Sequence, residues 1–159
     1  MNLFFTWEKE YITEGTLADI INKIKSLENR RLSDAFSENI VGKLSEDNTF
    51  KFSPKWTLGS ITVLGFHQDF TYLKGSLQQK QDKVIIKTQT RPNYLLVAIF
   101  YSLVFGFIIE VFNFNGFESN FPRSIFFVFF IFSLIFAALM LFTTVRLKNR
   151  FERLMGLRD

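Results

Sequence analysis

The sequence predicts an α+β protein, an antiparallel sheet of five to six strands with one packed helix, joined to a two-helix transmembrane hairpin. Three observations predict it. Apolar residues are unevenly spread: of the 22 phenylalanines, 15 follow residue 92. Between Asn39 and Arg91 the hydrophobic pattern has a period near two, the mark of strands with one buried face. Beyond Pro92, two stretches, Tyr94 to Phe112 and Ser124 to Val145, are apolar all round and carry one charge between them, Glu110.

The elements follow in order. Residues 2–12 read as a strand, with Leu3, Phe5 and Trp7 on one face. In "TEGTLADIINKIKSLENRR", Thr16 and Asp19 have the spacing of a capping box. Leu17, Ile20, Ile21, Ile24 and Leu27 then form one apolar stripe, so a helix is expected to about Glu28, packed on the sheet. "NIVGKL" is a short strand, and "TFKFSPKWTLG" alternates Phe50, Phe52, Trp56 and Leu58 against Thr49, Lys51, Lys55 and Thr57. Glu46-Asp47-Asn48 connects these two. Pro54 cannot donate to a ladder, which places this strand at an edge or a bulge. "ITVLGFH", "FTYLKGSLQ" and "KVIIKTQTR" read as three further strands, the last two joined around Lys80-Gln81-Asp82.

The chain thus divides into a sheet domain over 1–92, a hairpin over 93–146 with spans at about 94–112 and 124–145, and a basic amphipathic tail over 147–159. The spans would measure ~28 and ~33 Å against a hydrocarbon core of roughly 30 Å. Lys87 and Arg91 precede the first span and Arg146, Lys148, Arg150 and Arg153 follow the second, whereas the connection holds only Arg123. The positive-inside rule then puts the sheet domain and both termini in the cytoplasm, with the protein multi-pass in the cytoplasmic (inner) membrane. "MNLFFTWEKEYI" has no basic n-region and too short an apolar core for a signal peptide, which agrees with that orientation. In the tail, Leu147, Phe151, Leu154 and Met155 make an apolar stripe that suits either an amphipathic helix on the membrane surface or a continuation of the second span.

Several function classes find no support in composition. The net charge of +4 is split evenly along the chain, without the basic concentration of a nucleic-acid binder. With no cysteine and one histidine, His67, the chain offers no thiolate or histidine zinc site, and neither a metal nor another cofactor is expected. Ser60, His67 and Asp69 lie close in sequence, but a triad needs mutual geometry that proximity does not supply, so no catalytic residue is assigned. No phosphate-loop or dinucleotide fingerprint occurs.

What remains are sites of packing and binding. Phe50, Phe52, Trp56, Phe66 and Tyr72 are a candidate pocket lining between sheet and helix, or else simply core. Lys51, Lys55, Lys74, Lys80, Lys83 and Lys87 are a solvated face or an anion site for a headgroup or nucleotide phosphate. Ala98, Ser102 and Gly106 in the first span, with Ser133 and Ala137 in the second, have small-xxx-small spacing for helix packing within one hairpin or between copies. Glu110 continues that row as an intramembrane acid, either an ion or proton site or an interfacial residue marking the end of the span.

The succession of a strand, the helix at "GTLADIINKIKSL", "IVGKL", "FKFSPKW", three more strands, then Pro and an apolar hairpin resembles small uncharacterised bacterial membrane proteins. In these, a compact cytoplasmic α+β domain runs directly into membrane helices. More loosely it resembles bacterial antiphage effectors that sense a nucleotide signal and perturb the membrane. The resemblance implies no catalytic residues. The expected function is non-enzymatic: a cytoplasmic domain that senses a small ligand or binds a protein partner, coupled to the hairpin through the short Arg91-Pro92-Asn93 junction. The alternatives are a membrane-perturbing defence effector triggered by a nucleotide signal, and an accessory subunit of a larger membrane complex. Its expected partners are the lipid bilayer, a ligand or protein on the sheet domain, and a second copy through the small-residue face, with no nucleic acid.

Overall fold

A computed structural model describes residues 5–28, 40–54, 60–63, 66–112 and 124–157. Its elements are β1 (Trp7–Glu14), α1 (Leu17–Glu28), β2 (Ile40–Leu44), β3 (Thr49–Pro54), β4 (Ser60–Val63), β5 (Phe66–Asp69), β6 (Thr71–Lys80), β7 (Lys83–Pro92), α2 (Tyr94–Val111) and α3 (Ser124–Met155). Five strands form one antiparallel sheet in the order β1-β7-β6-β3-β2, and β4 pairs with β5 in a separate two-stranded ribbon. The protein is therefore α+β, with a five-stranded antiparallel sheet and three helices among the described residues. The first strand lies further along the chain than its apolar residues suggest, because its pairing with β7 runs from Trp7 to Glu14. The segment read as one strand at "ITVLGFH" is instead split between β4 and β5.

Local chemistry accounts for the element ends. Asp19 N–H donates to Thr16 Oγ1 at 3.2 Å and Thr16 N–H to Asp19 Oδ2 at 3.3 Å, the reciprocal bonds of a capping box that start α1. Gln81, with φ +54°, takes the first central position of the two-residue β6–β7 turn, where a positive φ matches the twist of the flanking strands. At the far end of the chain Gly156, with φ +71°, closes α3: its N–H bonds the Arg153 carbonyl and the Leu157 N–H bonds that of Glu152, a Schellman pair. Lys23 of α1 adds a bond from its ammonium to the Met155 carbonyl at 3.1 Å.

The passage from sheet to α2 involves no linker. β7 runs to Pro92, and Asn93 then caps α2, its Oδ1 accepting from the Leu95 N–H at 3.0 Å. The same residue is tied back to the approach to β6: its backbone N–H donates to the Phe70 carbonyl and its side-chain amide to the Asp69 carbonyl.

α3 has two parts of different character. Its 32 residues span ~48 Å, longer than a bilayer core of roughly 30 Å. The uncharged part, 124–145, carries exposed Phe127, Ile131, Phe132 and Leu134, while the part beyond Arg146 lies on the sheet. Along β7, Val84, Ile86, Thr88 and Thr90 alternate inward, and Phe50 and Phe52 of β3 share that face. Phe151 of α3, fully buried, fills the space above them, stacked on the Phe50 ring at 5.6 Å and edge-on to Phe52 at 5.3 Å. Leu147, Met155 and Ile24 of α1 complete this core. The tail stripe thus continues the long helix and is used on the sheet.

One polar lock sits inside this contact. Glu152 is buried, accepts from Tyr11 Oη at 2.6 Å and from Lys9 Nζ at 3.0 Å, and has Lys148 Nζ at 3.8 Å. Burial alone would raise the carboxyl's pKa, but the Tyr11 and Lys9 hydrogen bonds and the nearby ammonium groups outweigh it and hold the pKa below the ordinary glutamate value. Burial, followed by the bond to Glu152 and its charge, pushes the Tyr11 phenol up.

Away from the sheet, α2 and α3 run antiparallel: Leu96 and Val97 cluster with Met140 near the sheet, and Phe107 meets Phe130 further out at 5.4 Å. Among the described residues one helix, Phe127–Met155 within α3, contains a stretch long and apolar enough to cross a membrane by length and composition, and only 17% of its most apolar window is buried in the protein. The described apolar run of α2, Tyr94–Ile109, is shorter, within a helix of 18 residues that spans ~27 Å.

Phe151→Ala is expected to destabilise the sheet domain by about 3–5 kcal/mol, because the ring leaves a void among Phe50, Phe52 and Tyr11. Chemical unfolding followed by tryptophan fluorescence checks this, and a loss below about 1 kcal/mol would mean that α3 does not close the core. Glu152→Gln is expected to cost about 1–3 kcal/mol at pH 7. Since folding lowers the carboxyl pKa, its contribution is present above the unfolded value of about 4.3 and is lost as pH falls through the folded value. The gap between wild type and variant should therefore close in acid, and a gap independent of pH would contradict the ionised lock.

Candidate functional site

The alternation that sends one set of strand residues to the core sends the other to the open face of the sheet. Register then decides which of those residues meet. Lys43 of β2 pairs with Lys51 of β3, Lys51 with Lys74 of β6, Lys74 with Gln89 of β7, and Gln89 with Glu8 of β1. Three lysines thus stand directly opposite one another on adjacent strands, whose spacing is roughly 4.8 Å. Like charges in that position oppose pairing. The row continues to an acidic edge, where Gln89 Nε2 donates to Glu8 Oε1 at 2.8 Å and Lys87 Nζ lies 4.0 Å from Glu10 Oε2. Positive charge is therefore compensated on the β1 side and left in excess on the β2, β3 and β6 side.

These residues line an open trough of about 860 Å³. Beyond Lys74 and Gln89, on the same face and toward α2, cations gather on one aromatic ring. Lys51 Nζ lies 5.1 Å, Lys74 Nζ 5.7 Å and Arg91 Cζ 4.8 Å from the centre of the Tyr72 ring. Arg91 also lies over Tyr94, 4.4 Å from its centre, and donates from Nη1 to the Tyr94 hydroxyl. Its Nε is buried with no hydrogen-bond acceptor. Among the described residues no carboxylate forms an ion pair with Lys51, Lys74 or Arg91. Chemically, unpaired cations in this arrangement suit an anion.

The residues singled out from sequence fall in different places. Phe50 and Phe52 are in the core under Phe151, whereas Tyr72 is on the opposite face of the sheet, so the five aromatics do not share a pocket. Trp56 and Lys55 lie outside the described residues, and Phe66 is described only as a backbone position opening β5. Of the lysines, Lys51, Lys74 and Lys87 reach the trough, while Lys80 and Lys83 pair at the far hairpin end. In the helices Ser133 is buried, its hydroxyl satisfied by the Phe130 carbonyl, and Ala137 is half-buried. Ala98 and Ser102 are exposed, and a Cβ built on Gly106 would meet nothing within 4 Å. The α2 row therefore faces away from α3, which large side chains of α2 contact instead. Glu110 occupies the last turn of α2, where only its backbone is described. Lys43 and Arg91 were not among the sequence-derived anion candidates. Lys43 stands alone in a short strand, and nothing in its neighbourhood shows which residue it will face.

If the lysine row is strained, Lys51→Thr should raise stability at low ionic strength by about 0.2–1 kcal/mol per relieved pair. The gain should vanish in 1 M salt, where the Debye length is about 3 Å. Paired thermal melts test this, and an equal effect at both salt concentrations would contradict a charge origin. The chain matches no protein family, no curated protein and no solved structure.

Proposed function

We propose that this is a non-enzymatic integral membrane protein. Segments 94–112 and 124–145 cross the cytoplasmic membrane as a hairpin, both termini and the sheet lie in the cytoplasm, and the sheet domain senses a ligand whose binding is transmitted to the helices. The observation that carries this reading is the shared helix: α3 presents apolar side chains outward over 124–145 and supplies Phe151 to the sheet core, so it cannot shift without disturbing both. The exposed apolar surface, with Phe127 at 70% and Phe142 at 61%, is of the kind that lipid would cover. The small exposed row on α2 suits contact with a second copy, which fits a response by changed association. Coupling is supported at the start of α2 too, where Asn93 is at once the cap of that helix and a bonded neighbour of Asp69 and Phe70.

The lysine row also favours a second, related reading, an effector of a bacterial defence system triggered by a nucleotide signal, since phosphates suit three adjacent ammonium groups. That reading requires toxicity and loss of membrane potential on triggering; the sensing module does not.

Topology is tested with single cysteines in this cysteine-free chain. In intact spheroplasts a membrane-impermeant maleimide should label Asn115→Cys and leave Thr13→Cys unlabelled until lysis. Labelling of both before lysis, or release of the protein from membranes by alkaline carbonate, would sink the proposal. A ten-residue Gly/Ser insertion after Arg91 should uncouple the two parts, abolishing any ligand-induced change in crosslinking between copies through Ser102→Cys.

A further inference from the structure

We infer that the cluster formed by Lys51, Lys74 and Arg91 around Tyr72 binds the phosphate of an acidic phospholipid headgroup, which makes lipid composition the signal read by the sheet domain. This rests on the membrane reading above and names the ligand class of that site.

Three features of the cluster ask for an anion. Lys51 and Lys74 are cross-strand neighbours of the same sign, and both lie within 6 Å of one ring centre together with Arg91. The ring's negative face accommodates cations but does not cancel their mutual repulsion. Among the described residues none of the three has a carboxylate partner, although two glutamates on the same face pair with Lys87 and Gln89. Arg91 Nε is buried without an acceptor, while the same guanidinium is held in place by two aromatic rings and the Tyr94 hydroxyl. A guanidinium fixed in this way matches the oxygens of a phosphate.

Position selects the source of that phosphate. Tyr94, exposed, is the first residue of α2, so on the membrane reading Arg91, Tyr72 and Tyr94 stand at headgroup level, where amphipathic aromatics concentrate. Across the pair, Arg146 lies over Phe142 at 5.6 Å, close to where α3 leaves its uncharged segment. Lys51 and Lys74 are exposed and also line the open trough, whereas free small molecules are ordinarily bound by sites that enclose most of their surface. A headgroup is already held at the surface by its acyl chains, so a shallow basic cluster suffices to capture it.

The test uses the full chain in nanodiscs of phosphatidylcholine, with or without 20 mol% phosphatidic acid. Lipid retained by the protein is counted by native mass spectrometry after transfer to detergent. Wild type should retain phosphatidic acid over phosphatidylcholine, and K51Q/K74Q, which changes two exposed side chains, should lower that retention about tenfold. K80Q/K83Q, at the opposite end of β6 and β7, should leave it unchanged. Equal loss in both double variants, or none in either, would overturn the site. Displacement of the retained lipid by 10 mM inorganic phosphate would assign the cluster to a soluble anion and overturn the lipid assignment. Should the chain fail to enter nanodiscs, the membrane reading fails; binding of water-soluble dihexanoyl phosphatidic acid to the same variants then decides the site alone.

Discussion

The structure depends on one ring. Phe151 completes the core of a sheet formed from residues 7–92, yet it is carried by a helix that begins at Ser124. A sheet of five strands has one face that must be covered, and α1, with twelve residues, covers only part of it. The rest is covered by α3, whose C-terminal turns act as the sheet's second layer. Everything else follows from that placement. The Tyr11–Glu152 bond can form only because Phe151 seats the helix across β1 and β3, and Thr71 can donate to Thr143 only because the same seating brings β6 against α3.

Such docking leaves the second face of the sheet open, and the excess charge is placed there. A row of three lysines is an odd choice for a face whose only task is to be wet, since alternating signs across strands stabilise a sheet and matching signs do not. The acidic residues needed to alternate are present on β1, but they meet Lys87 and Gln89. Charge on this face is thus sorted along the strand order, with the positive side on β6, β3 and β2, and Arg91 of β7 joins it across the Tyr72 ring.

Much of this fold was legible in the sequence because it is local. The Thr16–Asp19 cap, the stripe of α1, the alternation of β3 and β7 and the turn at Gln81 all depend on residues within one or two turns or strands of each other. The site was not legible, because it depends on register and strand order. Lys43, Lys51 and Lys74 share a row only because β2, β3 and β6 are adjacent and aligned at those residues, and no periodicity encodes that alignment. Parity within a strand relates Phe50 to Phe52, but it does not say that Tyr72 points the other way. The Glu152 lock joins residues 141 positions apart, so it was hidden within a basic stretch, "NRFERLM", that reads as an amphipathic tail. The small residues of α2 show the same limit: their spacing was plain, while the face that meets α3 was set by the bulk of Leu96, Val97 and Phe107.

The Schellman end of α3 has a consequence for how the protein is made. Phe151, Glu152 and Met155, the residues that close the core, are synthesised after every strand they cover, and Gly156 and Leu157, which finish the helix, come after them. A nascent sheet over residues 7–92 therefore waits, with Phe50 and Phe52 uncovered, until both apolar helices have been translated and the returning helix arrives. The sheet is thus made before the helix that completes its core.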